Sequence, residues 1–165
     1  MSYLKRILFT GLILSIMMAA GNAFATSRVY SGNECVPVGA DATGLFYDYS
    51  AVYNTNGYSL TVICPAINVT QTNIQSAWVM VKDQNNNASN SSVHCALGTV
   101  YRAVGGTQYY SVSYAETSTT GWSSNWQELD FGNLYCGSRS GIYLNCTLPG
   151  NDVGYSYIAE YKITQ

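Results

Sequence analysis

The side chains able to do chemistry are few, and most are badly spaced for it. Histidine occurs once, at His94, and no serine stands in a G-x-S-x-G elbow, so a hydrolytic triad has little to be built from. A Cys136 nucleophile activated by His94 would need a thiol kept reduced. Glu128 and Asp130 fall on one face of a strand, about 7 Å apart at Cα from the strand rise, a separation that overlaps the range of inverting glycosidases. Adjacent carboxylates on one strand do not face each other across a cleft, however, and solvation is their simpler reading. Asp83-x-Asn85-x-Asn87 copies the opening of a calcium loop, but Ala88 replaces the glycine at position six and His94 the glutamate at position twelve. The span Asp83 to Asn90 is therefore read as a polar hairpin tip, with a weak calcium site built on backbone carbonyls as the alternative. No catalytic residue, metal or cofactor is assigned. What remains is recognition: Tyr109, Trp122 and Trp126 stand in a polar loop or on polar strand faces, where aromatic rings beside amides and hydroxyls suit sugars or protein partners.

These residues must be held by strands. Ala77 to Val81 and Val93 to Tyr101, separated by turn-forming Asp, Asn and Ser residues, predict a central hairpin over Ala77–Arg102, with Val93, Cys95 and Leu97 on its inward face. Glu34 to Val38 reads as a short edge strand that tolerates Pro37. Leu45, Tyr47, Tyr49, Ala51 and Tyr53 alternate as the inward set of one strand, ended by a turn at Asn54-Thr55-Asn56-Gly57. Leu60, Val62 and Cys64 form the next inward face, and Ala66 to Ser76 is expected to be a crossing loop. Glu116 to Asn125 reads as a surface loop around Trp122. Trp126, Glu128 and Asp130 oppose Leu129 and Phe131, which puts the tryptophan outside. Ile142, Leu144, Cys146 and Leu148 form another inward set, and Tyr155, Tyr157, Ala159 and Tyr161 alternate with Ser156, Ile158, Glu160 and Lys162. Short strands at near-regular spacing, without helix signals, predict an all-β fold, an antiparallel sandwich of jelly-roll type. An immunoglobulin reading fails because Leu134 and Leu144, not tyrosines, stand two before Cys136 and Cys146.

Residues 1–25 have the marks of a signal peptide: Lys5 and Arg6, an uncharged apolar run from Ile7 to Ala20, and Ala23-Phe24-Ala25 as a cleavage site. Cleavage leaves one domain over residues 26–165, with no later stretch apolar enough to cross a membrane. That domain has five basic residues against nine acidic ones, a net charge of −4, which excludes nucleic acid as a partner. All five cysteines lie in it, and secretion or a periplasmic home predicts two disulfides and one remainder. Cys64, Cys95 and Cys146 face inward and Cys35 begins the same system of strands, so Cys35–Cys64 and Cys95–Cys146 are the expected pairs. Cys136, in a turn-rich segment, is left as a half-buried thiol or a link to another chain.

Glu-Cys-Val-Pro at 34–37, Val-Ile-Cys-Pro at 62–65, Val-His-Cys-Ala-Leu at 93–97 and Leu-Asn-Cys-Thr-Leu-Pro at 144–149 together resemble a group of small secreted bacterial proteins of unassigned activity with a four-cysteine all-β domain. The resemblance implies an exported β domain with two disulfides, and it brings no active-site residue. Cys136 departs from that four-cysteine pattern. The expected function is a secreted, non-enzymatic β-sandwich binding a glycan or a surface protein through Tyr109, Trp122 and Trp126. The alternative is a structural or assembly component of the envelope or extracellular matrix.

Overall fold

The computed structural model describes residues 27–39, 42–66, 73–85, 92–102, 109–135 and 141–165. The expected signal peptide and Cys136 lie outside the described residues. The strands are β1 (Ser27–Ser31), β2 (Val36–Pro37), β3 (Leu45–Asp48), β4 (Ala51–Asn54), β5 (Leu60–Ala66), β6 (Asn73–Asp83), β7 (His94–Arg102), β8 (Tyr109–Ser118), β9 (Gln127–Tyr135), β10 (Gly141–Leu148) and β11 (Ser156–Thr164). One sheet runs β3-β4-β11-β6-β9, with β1 also on β11, and the other runs β2-β5-β10-β7-β8; every described pairing is antiparallel. From β4 to β11 each step but β7 to β8 changes sheet, so β4-β11-β6-β9 faces β5-β10-β7-β8 as a jelly roll. The fold is the disulfide-bonded β-sandwich expected from the sequence.

Alternation builds the core. Val79, Val81, Val52, Ile158, Tyr161 and Ile163 point inward from the first sheet, and Val62, Cys64, Cys95, Leu97, Leu144, Cys146 and Leu148 from the second. Cys35 bonds to Cys64 and Cys95 to Cys146, as the facing argument anticipated. Both bridges join neighbouring strands of one sheet rather than the two layers: Cys95 and Cys146 are register partners on β7 and β10. Pro37 sits on the edge strand β2, where its missing N–H leaves no central ladder broken.

Four expectations are corrected. The central hairpin does not form: its arms become β6 and β7, each in the middle of a different sheet. Each arm has one apolar face, and packing those faces against each other across the layers buries both, while β11, β9, β10 and β8 take the hydrogen-bonding edges. The single strand over Leu45–Tyr53 is a hairpin, β3 and β4, turned at Tyr49 (φ 47°) and Ser50. That two-residue turn pairs Phe46 with Tyr53 and Tyr47 with Val52, so Val52 goes inward and Tyr53 outward. The Ala66–Ser76 loop is shorter than expected, because β5 includes Ala66 and β6 begins at Asn73. Lastly, the Glu116–Asn125 segment is not all surface loop: β8 continues to Ser118, and Thr119 is buried.

On β11 a bulge between Ile158 and Glu160 reverses the alternation, so Tyr157 points out and Tyr161 in. Gly32 packs on that bulge; a Cβ there would stand 2.1 Å from the Ile158 carbonyl oxygen.

Candidate functional site

Register brings one row of side chains across five strands on the outer face of the first sheet. Phe46 on β3 pairs with Tyr53 on β4, Tyr53 with Tyr157 on β11, and Tyr157 with Lys82 on β6. Trp126 precedes Gln127, the register partner of Val81, and so stands beside Lys82 at the head of β9. At the usual strand spacing the row is about 19 Å long. Its neighbours along each strand, among them Val52, Val81 and Ile158, are buried, so this set must face solvent.

The rings touch along the row. Phe46 and Tyr53 have centroids 5.5 Å apart, Tyr53 and Tyr157 5.0 Å, and Trp126 and Tyr157 6.2 Å. Tyr155, just before β11, packs on Tyr53 at 5.1 Å and edge-on to Tyr157. Successive planes along the row are inclined by 43°, 40° and 70°, so the surface twists with the sheet instead of lying flat. Phe46 and Trp126 at its ends are about half exposed, while Tyr53, Tyr157 and Lys82 between them are half-buried. Burial, then the phenols of Tyr53 and Tyr155 and the Asp48 carboxylate, raise the Tyr157 phenol above its ordinary value; it stays protonated and able to donate. The Lys82 ammonium lies 5.8 Å from the Tyr157 centroid and 6.0 Å from that of Trp126, at the outer limit of cation–π attraction.

Of the residues expected to recognise a ligand, Trp126 is in this row. Trp122 stands at the same end of the sheet, exposed, on a loop held to β6 by the Ser123 N–H donating to the Asp83 carbonyl at 2.7 Å. Tyr109 opens β8 in the opposite sheet, where its backbone pairs with Arg102, and its side chain is outside what is described. Phe46, Tyr53, Tyr155, Tyr157 and Lys82 were not singled out from the sequence. Alternation groups Tyr155 and Tyr157 with Tyr161, and only the β11 bulge separates them; joining the first two to Phe46 and Tyr53 further requires the order of strands, which no local pattern carries.

The other candidates have structural surroundings. Asp83 is fully buried, and its carboxylate accepts four hydrogen bonds: from the Asn85 N–H (3.2 Å) and Ser156 Oγ (3.2 Å) at Oδ1, and from the Val93 N–H (3.1 Å) and Thr119 Oγ1 (2.7 Å) at Oδ2. Those donors occupy the lone pairs a cation would use. Asn85 donates its side-chain amide to the Gly150 carbonyl; residues 86–90 of the polar tip lie outside the described residues. Glu128 and Asp130 face solvent on β9 opposite Met80 and Trp78, so neither meets a carboxylate on the neighbouring strand; Asp130 Oδ1 accepts the Gly132 N–H at 2.8 Å. His94 is exposed on the outer face of β7, opposite Thr147 and Ser118. Among the described residues no three His, Cys, Asp or Glu side chains converge on a metal position, and no helix is long and apolar enough to cross a membrane.

No protein-family pattern and no curated protein matches the chain. Solved structures of similar fold include a low-affinity xylan-binding module, CBM86, from Roseburia intestinalis (13% identity, 84% of this chain and 94% of that one, TM-score 0.46). The CBM36-1 domain of a multidomain xylanase from the hindgut metagenome of Trinervitermes trinervoides is alike to a similar degree (13% identity, 85% and 97%, TM-score 0.47). A family two carbohydrate esterase from Cellvibrio japonicus aligns with 86% of this chain at 9% identity and TM-score 0.45, and the chain spans 34% of that protein's length. At these identities the likeness is one of fold.

Proposed function

We propose that this protein is a secreted, non-enzymatic module that binds a glycan on the outer face of its first sheet, through Trp126 together with Phe46, Tyr53 and Tyr157, with Trp122 at the flank. The observation that carries the reading is the continuous ring-to-ring row across β3, β4, β11 and the head of β9. Aromatic faces receive the C–H faces of sugar rings, and the Tyr53 and Tyr157 hydroxyls beside them can exchange hydrogen bonds with sugar hydroxyls. A row about 19 Å long matches a few consecutive sugars of a chain lying across the strands. Two disulfides suit an extracellular or periplasmic setting, in which polysaccharides are available as ligands.

The test is tryptophan-fluorescence titration and a glycan array with soluble polysaccharides. Binding is expected to weaken about tenfold in Trp126→Ala and in Tyr157→Ala, a change of about 1.4 kcal/mol each. Tyr143→Ala, on the outer face of the other sheet, is expected to bind as wild type. No response to any polysaccharide, or equal loss in all three variants, would overturn the reading.

A further inference from the structure

Lys82 is the one cation in a row otherwise made of rings, and no described residue answers its charge. Among the described residues it forms no ion pair; its contacts are the faces of Trp126 and Tyr157. An ammonium held half-buried between two rings gives up part of its hydration and regains little at centroid distances of 5.8 and 6.0 Å. A ligand anion arriving between Tyr157 and Trp126 would restore that loss with a charge-assisted hydrogen bond.

The surroundings limit how much negative charge the site accepts. In the next outward row Met80 is paired with Glu160 on one side and Glu128 on the other, each about 7 Å along the strands from the level of Lys82. Asp48 lies close enough to act on the Tyr157 phenol. A polyanion would set its further charges against these three carboxylates, whereas one anionic group among neutral residues meets only the ammonium.

Resting on the glycan reading above, we infer that the ligand is a mostly neutral, soluble polysaccharide carrying isolated acidic groups, and that Lys82 selects the acidic residue while the rings on either side hold its neutral neighbours. The 40° to 70° inclinations between successive rings favour a single twisted chain over a flat crystalline surface.

The experiment uses a soluble β-glucan and a β-galactan, each in three forms: neutral, with a small fraction of primary alcohols oxidised to carboxylate, and fully oxidised to the polyuronate. Sulfation at the same sparse density distinguishes a carboxylate source from a sulfate source of the charge. Wild type is expected to bind a sparsely charged form about five- to tenfold more tightly than the neutral parent, the preference shrinking in high salt, and to bind the polyuronate less well than the sparse form. Lys82→Gln is expected to lose the preference, binding the neutral and the sparsely charged chain alike. Equal binding of neutral and sparsely charged chains, a preference unchanged in Lys82→Gln, or tightest binding to the polyuronate would each overturn the inference and leave glycan binding standing. Failure to bind any form would remove both.

Discussion

Tyr161 illustrates how much one side chain can depend on its surroundings. Its ring stacks on that of Tyr30 at 4.8 Å and 10°, and its hydroxyl donates to the Pro65 carbonyl across the core. Burial, then the Glu34 carboxylate and the Tyr30 phenol, push the Tyr161 phenol well above its ordinary value of 10.0. The unfolded chain releases this proton near the ordinary value while the folded chain still holds it, so the native state binds more protons there and stability falls as pH rises. The contribution is complete below about pH 10 and is lost through the alkaline range above it. Tyr161→Phe gives up the hydroxyl's hydrogen bond, about 1 kcal/mol at neutral pH, but its unfolding free energy is expected to decline less steeply above about pH 10 than that of wild type. Urea titrations across that range check it, and parallel slopes would contradict it. Nothing local marks Tyr161 as different from Tyr157 four residues earlier; the bulge between them sends one ring into the core and the other onto the outer face of the sheet.

At the level of elements, Asp83 stands where the chain leaves β6 in one sheet for β7 in the other. Its carboxylate gathers the Val93 N–H just before β7, Thr119 just after β8, Ser156 at the start of β11 and the Asn85 N–H in its own connection. It thereby ties both layers together at the point where the chain crosses between them. Asp83→Ala removes the acceptor of the Asn85 N–H and of the Ser156 and Thr119 hydroxyls, while the Val93 N–H keeps Thr119 Oγ1 at 3.0 Å; with each orphan costing about 1 to 3 kcal/mol, partly relieved by water, the unfolding free energy from urea titration is expected to fall by about 3 kcal/mol. Asp83→Asn should also destabilise, because its amide turns a donor toward donors. If the carboxylate instead served a cation, chelator would lower the wild-type melting temperature and leave Asp83→Ala untouched; no chelator effect on either is expected. The calcium-like spacing was visible in the sequence. That this aspartate is an interior lock was not, since three of its four partners lie 10, 36 and 73 residues away.

Across the whole molecule, both disulfides strengthen one sheet, and they do so unequally. Cys95–Cys146 spans 51 residues between two strands that each have a neighbour on either side, whereas Cys35–Cys64 spans 29 and ties the edge strand β2 to β5. In the chain-entropy model both contribute about 4 kcal/mol, the longer loop about 0.5 kcal/mol more. Replacing Cys95 and Cys146 together by Ala is expected to lower global stability by about 4 kcal/mol. Loss of the Cys35 bridge should in addition speed hydrogen exchange at β2 ahead of global unfolding. Denaturation with exchange mass spectrometry separates the two. The residues by themselves determined a β-sandwich, its cysteine pairs and the outward aim of Trp126, because period-two alternation and inward-facing cysteines are local properties of a strand. Only the tertiary structure decided that the arms of the supposed hairpin face each other across the core, that Tyr53 turns outward, and that Phe46, Tyr53, Tyr157, Lys82 and Trp126 share one row. Those outcomes depend on which strands become neighbours and in what register, a choice made by burying every apolar face at once and not by any single stretch of chain.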